Sequence, residues 1–217
     1  MNRDEARLRE LGLWPPYGLL PAAAPERAAG VATLDWSALE DRIRTCSACG
    51  LCQGRTLAVP GTGSRNARLL LLGEAPGADE DRAGEPFVGR AGRLLDQMLL
   101  AIGLSRQQVY IANVLKCRPP QNRDPAPDEL AACRPFLDRQ IALLRPQVIL
   151  ALGSFAAQSL LGGDGRVGAL RGRVHRCGDS AVVVTYHPAY LLRSPDDKRR
   201  AWEDLCQLRA LLQEPAP

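Results

Sequence analysis

The sequence predicts an α/β fold with three layers, α/β/α, around a central four-stranded parallel sheet. Four short apolar runs of strand length alternate along the chain with longer segments that have the 3.6-residue spacing of helices. The chain has 217 residues, 46% hydrophobic and 24% charged, which are ordinary values for one globular domain. Strands separated by helices are joined by right-handed crossovers, which build a parallel sheet with helices on both faces.

The predicted elements alternate regularly along the chain. A short helix over residues 34–44 comes first, and an amphipathic helix over residues 197–212 comes last. The predicted strands read RLLLL, VYIANV, QVILAL and AVVVTY and cover residues 68–72, 109–114, 147–152 and 181–186. The helices between them cover residues 92–102, 127–144 and 154–161. Each strand is therefore followed by a helix, as a parallel sheet requires.

The first 34 residues are predicted to be a flexible or loosely docked leader before a domain of residues 35–217. The stretch WPPYGLLPAAAPERAAG is rich in proline and alanine and has no sustained period. Charged residues within positions 3–10 are unlike a secretory signal, and no stretch approaches the roughly 18 apolar residues of a membrane span. We therefore expect a cytoplasmic protein.

Polar or glycine-rich residues follow all four predicted strands, at the ends that point the same way. Glu74 follows the first strand, and Asn113 lies at the end of the second. Ser154 follows the third strand and His187 the fourth. Each residue alone is explained equally well as a helix cap or an ordinary hydrogen-bonding side chain. Because ligands of open parallel sheets bind beyond the carboxyl ends of the strands, the shared position predicts a cleft containing all four.

The cysteines indicate metal or redox chemistry more than disulfides, because no secretory signal is predicted for the chain. Cys46 and Cys49 form a C-x2-C pair, and Cys117 and Cys133 form a wider pair. Four thiolates hold either tetrahedral zinc or an iron–sulfur cluster, and the spacing does not choose between them. Cys52 leaves a second arrangement open, a C-x2-C-x2-C triplet with the first pair.

The densest irregular stretch reads GEAPG at residues 73–77 and GEPFVG at residues 84–89. Glycines let a backbone approach a ligand closely and present its N–H groups. The pattern is neither a Walker loop nor G-x-G-x-x-G, which argues against nucleoside triphosphates and dinucleotides. Phe87, within this polar stretch, is either a core anchor for the loop or a flat surface on which a base stacks.

A second unusual stretch, HPAYLLR at residues 187–193, follows the fourth strand. A turn at Pro188 would make Leu191 and Leu192 project beside Arg193. Apolar wedges backed by cations insert into duplex DNA and hold its phosphates. In the alternative interpretation, the leucines belong to the core and the charges lie on a solvated helix start. The net charge of +4 is too small to decide for nucleic acid by itself.

Together these motifs resemble the family-four uracil-DNA glycosylases, the bacterial and archaeal members of the uracil-DNA glycosylase superfamily that carry a 4Fe-4S cluster. The resemblance rests on GEAPG, GEPFVG, NVLKCRPPQNR at residues 113–123, HPAYLLR and the four cysteines, and it covers residues 46–212. It implies a DNA-repair hydrolase that cleaves the N-glycosidic bond of a uracil flipped out of DNA. The products would be free uracil and an abasic site.

The resemblance also implies roles for individual residues. Cys46, Cys49, Cys117 and Cys133 match the cluster ligands, and Cys52 falls where these enzymes need none. The residues that match the uracil pocket are Glu74, Ala75, Pro76, Phe87, Asn113 and His187. Phe87 would stack on uracil, Asn113 would read its edge, and His187 would donate a hydrogen bond toward its O2. Glu74 would position the attacking water, with Glu80 as the second candidate. Leu191, Leu192 and Arg193 would contact DNA.

Two residues differ from the family pattern, and two alternative functions are open. Ala75 stands where some relatives have glycine, and Ala189 stands where serine is usual. One alternative is a non-catalytic or substrate-trapping module that binds uracil or single-stranded DNA. The loop after Asn113 lacks the histidine that covalent trapping uses in some superfamily members. The other alternative is a module that docks on a repair or replication protein through the leader. No lysine is predicted at the cleft for a Schiff base, and Lys116 is the nearest.

Overall fold

A six-stranded sheet forms the centre of the computed structural model, which describes residues 25–214. Its strands are β1 (Thr62–Gly63), β2 (Leu69–Gly73), β3 (Tyr110–Asn113), β4 (Val148–Leu152), β5 (Val174–Cys177) and β6 (Ser180–Thr185). They lie in the order β1-β3-β2-β4-β6-β5. The inner four are parallel, and β1 and β5 pair antiparallel at the two edges.

The helices surround this sheet. They are α1 (Pro25–Ala32), α2 (Trp36–Arg44), α3 (Leu51–Gly54), α4 (Ala78–Ala83), α5 (Arg90–Ala101), α6 (Pro127–Leu144), α7 (Ser154–Leu161), α8 (Val167–Leu170), α9 (Pro188–Leu191) and α10 (Lys198–Gln213). Short 3-10 turns cover Arg106–Gln108, Pro120–Asn122 and Pro195–Asp197. The longest helices, α6 and α10, follow β3 and β6, and their buried side chains cover opposite faces of the sheet.

Alternate side chains of the central strands supply two separate cores, which accounts for the three layers. On β2, Leu70 and Leu72 face the core shared with α6 and α7. Leu69 and Leu71 face the opposite core, shared with α5 and α10. Successive side chains of a strand point to opposite faces, so a run of four leucines is what a strand covered on both sides needs. The predicted α/β/α fold is thereby confirmed.

The sheet differs from the prediction in its edges, because it has six strands among the described residues instead of four. β1 is only two residues long, and β5 reads VHRC with alternately exposed and half-buried side chains. Neither segment contains the apolar run that marks a strand buried on both faces. Both strands pair antiparallel, so they extend the sheet without adding a crossover.

The amino-terminal part of the described chain packs on α6. Val31 of α1 is 1% exposed and lies in a small core with Leu39, Ile43 and Phe136. Asp35 caps α2, since its carboxylate accepts a hydrogen bond from the Ala38 N–H at 2.9 Å. Residues 25–34 of the predicted leader therefore include a helix with a buried side chain. Residues 1–24 lie outside the described part, and the boundary at residue 34 stays a prediction.

No helix within residues 25–214 is long and apolar enough to cross a membrane.

Candidate active site

Three of the four predicted strand ends open on one cavity of about 420 Å³. Glu74 follows β2, Asn113 is the last residue of β3, and His187 follows β6. The cavity is also lined by Ala75, Pro76, Glu80, Phe87, Tyr190 and Arg193. Its volume lies within the ordinary range for small-molecule sites, roughly 300–1,000 Å³. The three side chains, from the ends of three different strands, thus meet in one cavity, as the sequence predicts.

Ser154, the fourth predicted member of the cleft, is not among the residues that line the cavity. It begins α7, directly after Gly153, whose φ is +94°. A Cβ placed on Gly153 would lie 3.3 Å from Cβ of His187, so the histidine packs over the end of β4. The prediction that Ser154 lines this cavity is therefore wrong, and at this strand end His187, packed against Gly153, lines it instead.

Asn113 is held deep in the cavity by the strand that carries it. It pairs in register with Gly73 and is 2% exposed. Its side-chain oxygen Oδ1 is buried without a hydrogen-bond partner among the described residues. A buried polar atom without a partner is costly, and native proteins pair nearly all of them. The amide oxygen is therefore available to a ligand that carries a donor at its edge.

Phe87 forms one wall of the cavity in a backbone conformation that is unusual for an aromatic residue. Its φ is +56°, its side chain is buried, and its ring centroid lies 5.5 Å from that of His187. A Cβ on Gly73 would come within 2.6 Å of the tip of the ring, so glycine is needed beneath it. Left-handed backbone costs a non-glycine residue on the order of 1–3 kcal/mol and is concentrated at functional sites. The core interpretation from the sequence is confirmed for this residue. Its ring also lines the cavity, and stacking of a base on it stays a prediction.

Replacing Gly92 with alanine is expected to displace Phe87 and to abolish binding in the cavity. Gly92 lies in the first turn of α5, and an added Cβ would overlap the Phe87 carbonyl group. Such overpacking costs roughly 1–3 kcal/mol or more. Gly168→Ala is the matched control because its Cβ would meet nothing within 4 Å. We expect a lower unfolding temperature and lost activity for Gly92→Ala only, and equal effects of the two variants would contradict this account.

His187 is a neutral hydrogen-bond donor in this setting. Burial, with a further contribution from the charge of Arg193, lowers the pKa of its imidazole to about 4. Its Nδ1 accepts a hydrogen bond from the backbone N–H of Ala189 at 3.1 Å. Because a neutral imidazole carries one proton, this bond assigns the proton to Nε2. The bond comes from the backbone of residue 189, so alanine serves there as well as serine would.

The two acidic side chains of the cavity have different surroundings. Burial, followed by the nearby charge of Asp124, raises the pKa of Glu74 to about 7. The Glu80 carboxylate instead accepts backbone N–H groups of Gly77 at 3.1 Å, Val88 at 2.9 Å and Gly89 at 3.0 Å. Glu80 therefore ties the loop after β2 to the loop that carries Phe87. This arrangement favours Glu74 over Glu80 for a chemical role.

The mouth of the cavity combines an aromatic ring with two cationic side chains. Tyr190, which lines the mouth, is 37% exposed and stacks on Tyr186 with ring centroids 5.2 Å apart. Arg123 and Arg193 also line it. Next to them, Leu192 is 38% exposed. An exposed leucine beside arginines has the composition of a surface that enters DNA.

Leu191 does not belong to this surface, which corrects the expectation that both leucines project. It is 1% exposed and packs in the core between the sheet and the layer of α5 and α10. The short helix α9 turns successive side chains to different faces, so only Leu192 points outward. For Leu191, the core interpretation weighed from the sequence is the right one.

Lys116 lies outside the cavity and cannot act as an amine nucleophile there. It is 1% exposed, and its Nζ donates to the carbonyl of Asn113 and to Oε1 of Gln140, both at 2.6 Å. These bonds fix the backbone of the residue that presents its amide to the cavity.

Five cysteines line a second, tight space beside α6: Cys46, Cys49, Cys52, Cys117 and Cys133. Arg55 and Lys116 line the same space, and Arg55 Nη1 donates to the sulfur of Cys117 at 3.0 Å. Burial raises the pKa of the Cys133 thiol to about 12. No three His, Cys, Asp or Glu side chains in the described residues are arranged to hold a metal ion. The thiols thus surround a volume with two cations at its wall.

A larger cleft, of about 720 Å³, lies elsewhere, at the β1 edge of the sheet. It contains the ion pair of Arg65 with Glu40 at 2.8 Å. The smaller cavity contains a carboxyl with a raised pKa and an imidazole with a lowered one, both just after parallel strands. Perturbed titratable groups of this kind mark functional sites, so chemistry outweighs size in choosing the site.

The fold and the smaller cavity define a class of α/β proteins with a polar cavity at the carboxyl edge of a parallel sheet. The family model described as uracil DNA glycosylase superfamily matches residues 60–206. The chain therefore belongs to the uracil DNA glycosylase superfamily.

Several relatives share the name type-4 uracil-DNA glycosylase. The protein of Archaeoglobus fulgidus is 43% identical over 82% of this chain and 96% of its own. That of Sulfurisphaera tokodaii is 43% identical over 80% of this chain and 83% of its own. That of Thermotoga maritima is 44% identical over 75% of this chain and 85% of its own. The resemblance inferred from the motifs is confirmed.

Proposed function

We propose that the protein is a DNA-repair hydrolase that cleaves the N-glycosidic bond of uracil flipped out of DNA, releasing uracil and leaving an abasic site. The observation that carries the proposal is the buried Asn113 oxygen without a partner, beneath Phe87 and opposite a neutral histidine. The membership in the superfamily and the names of its relatives point to the same reaction.

Base recognition rests on Asn113 and Phe87. The flipped base lies against the Phe87 ring, and its N3–H meets the empty acceptor Oδ1 of Asn113. Uracil offers a donor at N3 and an acceptor at O4, which fits the two ends of an amide. Cytosine has an acceptor at N3 and an amino donor at position 4. The amide oxygen of Asn113 would then face an acceptor, and its amide nitrogen would face a donor. Unpaired polar groups of this kind disfavour the wrong base strongly.

His187 stabilises the base as it leaves. Negative charge develops on uracil while the sugar becomes cationic, so a fixed donor toward O2 lowers the barrier. The Nε2–H of a neutral imidazole provides this donor, and the Ala189 N–H keeps the ring in that tautomer. With its pKa lowered to about 4, His187 stays neutral near pH 7.

Glu74 orients the attacking water and opposes the positive charge of the sugar. The carboxylate has a pKa raised to about 7, so near neutral pH it is present in both forms. The charged form accepts a hydrogen bond from water and favours an oxocarbenium-like sugar electrostatically. Lys116, bonded to Asn113 and Gln140, supplies no Schiff base, which fits a hydrolase without lyase activity.

The DNA backbone is held at the cavity mouth by Arg123 and Arg193, and Leu192 enters the stack. Arg123 keeps a fixed geometry through a bidentate pair with Glu129, which itself is 5% exposed. Flipping a base costs a few kcal/mol, least for an unpaired or mismatched one, and an inserted apolar side chain offsets part of it.

The cavity of thiols fits a 4Fe-4S cluster held by Cys46, Cys49, Cys117 and Cys133. The support is a set of sulfur donors that line one space, with Arg55 and Lys116 beside it to balance a net negative charge. The cluster would supply cross-links between the segment before α3 and α6. Its place is structural, since these residues do not line the active-site cavity.

We expect the purified protein to show broad visible absorbance and to contain iron and acid-labile sulfide. Cys133→Ser should lose both and unfold at a lower temperature, because the cross-link between α6 and the amino-terminal segment is gone. Cys177→Ser is the control, since Cys177 lies on β5 away from the thiol cavity. A colourless protein that contains zinc would contradict the iron–sulfur assignment.

The proposed reaction is tested with oligonucleotides that carry one uracil, thymine, hypoxanthine or xanthine. The protein is incubated with each, and abasic sites are then cleaved with alkali. We expect cleavage of the uracil strand and none of the thymine strand. Uncut uracil DNA at stoichiometric protein would overturn the proposal.

A further inference from the structure

Phe87 is held in its left-handed conformation by a side chain that lies behind the cavity wall. Arg106, in the 3-10 turn before β3, donates from Nη2 to the carbonyl of Pro86 at 2.6 Å and from Nη1 to the carbonyl of Phe87 at 2.9 Å. Its Nη1 also donates to Oδ1 of Asp96 on α5 at 2.9 Å. The guanidinium therefore joins the Phe87 loop to two other elements. It is not among the residues that line the cavity.

The other side of the same loop is held by Glu80. Its Oε1 accepts the N–H groups of Val88 and Gly89, which follow Phe87 directly. A cation thus binds the two carbonyls up to Phe87, and an anion binds the two N–H groups after it. Hydrogen bonds to charged groups are about twice as strong as those between neutral groups. Four of them at consecutive residues hold a conformation that an aromatic residue rarely adopts.

We propose that Arg106 is a positioning residue for uracil, acting through Phe87; this inference rests on the proposed function. Without the two guanidinium bonds, the carbonyls of Pro86 and Phe87 are released and φ of Phe87 returns to negative values. The Phe87 ring then turns away from its place over Gly73, where it forms a wall of the cavity. The flat surface for the base is lost although no residue that touches the base has changed.

The role needs the shape of arginine as well as its charge. A planar guanidinium carries donors on both terminal nitrogens and reaches two adjacent carbonyls and Asp96 at once. A lysine ammonium is a point charge on a flexible stem and cannot span the same three acceptors in fixed geometry. Arg106→Lys is therefore expected to keep the fold and to be little more active than Arg106→Ala.

The effect is expected only where a base must be stacked. Arg106→Ala should lower kcat/KM for uracil excision at least about tenfold, which is about 1.4 kcal/mol. It should weaken inhibition by free uracil in parallel. Binding of abasic-site DNA should not change, since this ligand has no base to stack. Arg68→Ala is the matched control, because Arg68, at the far end of β2, likewise bonds one side chain and the backbone, there at a single carbonyl.

A double-mutant cycle with Phe87→Ala tests the route of action. If Arg106 acts through the ring, Arg106→Ala lowers kcat/KM less than about twofold in the Phe87→Ala background, because interacting residues are not additive. An equal loss in both backgrounds, wild-type rates for Arg106→Ala, or weakened abasic-DNA binding would overturn the proposal. Asp96→Asn, which loosens only one anchor, serves if Arg106→Ala does not fold, and it should lose less activity. A wild-type protein that releases no uracil would instead overturn the proposed function.

Discussion

Asn113→Ala is expected to lower kcat/KM for uracil excision by about 10²–10³-fold while the folded protein stays as stable as the wild type or becomes more stable. Losing one preorganised hydrogen-bonding group that acts on the transition state typically costs this much. Stability should not fall because Oδ1 makes no hydrogen bond in the described structure, and removing a buried unpaired acceptor removes a penalty.

The measurement compares single-turnover rates with thermal unfolding of the same preparations. Asn66→Ala is the matched control, since Asn66 is exposed and does not line the cavity. A loss of stability in proportion to the loss of activity would mean that Asn113 serves the core and not the substrate.

Glu74→Gln is expected to lower the rate of uracil release by about 10²-fold and to flatten its dependence on pH, since positioned acids and bases contribute about 10²–10⁴-fold. In the wild type, the rate should rise with pH around an apparent pKa of about 7, because the carboxylate is the active form and burial has raised its pKa. His187 does not titrate in this range, with a pKa near 4.

Glu74 should also make the stability of the protein depend on pH, in the opposite direction to the rate. The rate rises with pH, whereas the free energy of unfolding falls. Its folded pKa lies above the unfolded value of 4.5, so its favourable contribution is fully present below pH 4.5 and is lost as the pH rises through about 7. Glu74→Gln removes this slope. Asp124→Asn should shift the rate profile to lower pH, because the charge of Asp124 helps to raise the pKa. A profile that does not move in either variant would contradict the role of Glu74.

The four parallel strands and the helices α6 and α7 are predictable from sequence because their signal is local. The helices predicted over residues 127–144 and 154–161 coincide with α6 and α7, and the four parallel strands are shifted by one residue at most at their starts. Proline at the first position of α6 and a glutamate that bonds the Ala126 N–H at 2.8 Å mark its beginning. The edge strands β1 and β5 have no such signal, so the sequence does not predict them.

The residues of the candidate site are predictable from sequence where the order of the strands places them at the cavity. They are not predictable where the packing of side chains does so. The rule for strand ends brings Glu74, Asn113 and His187 together. It fails for Ser154, since no sequence pattern shows that His187 packs over Gly153. Leu191 and Leu192 are adjacent leucines, and only the packing of α9 separates a core residue from an exposed one.

Arg106 could not be found from the sequence at all. Its acceptors lie 19 and 20 residues away, and it stands in a polar turn without a motif. The conformation that it holds, a positive φ at Phe87, is also invisible in a sequence that offers glycine at neighbouring positions. Supporting contacts of this kind depend on the completed fold.

Counting free uracil tests whether the protein cleaves the N-glycosidic bond of uracil in DNA. A single-uracil oligonucleotide and an otherwise identical strand with cytosine are incubated with excess protein, and the released bases are measured by mass spectrometry. We expect one free uracil per strand and an abasic product, with no cytosine released. Intact DNA, or an SDS-resistant complex of protein and DNA that releases no uracil, would contradict the account.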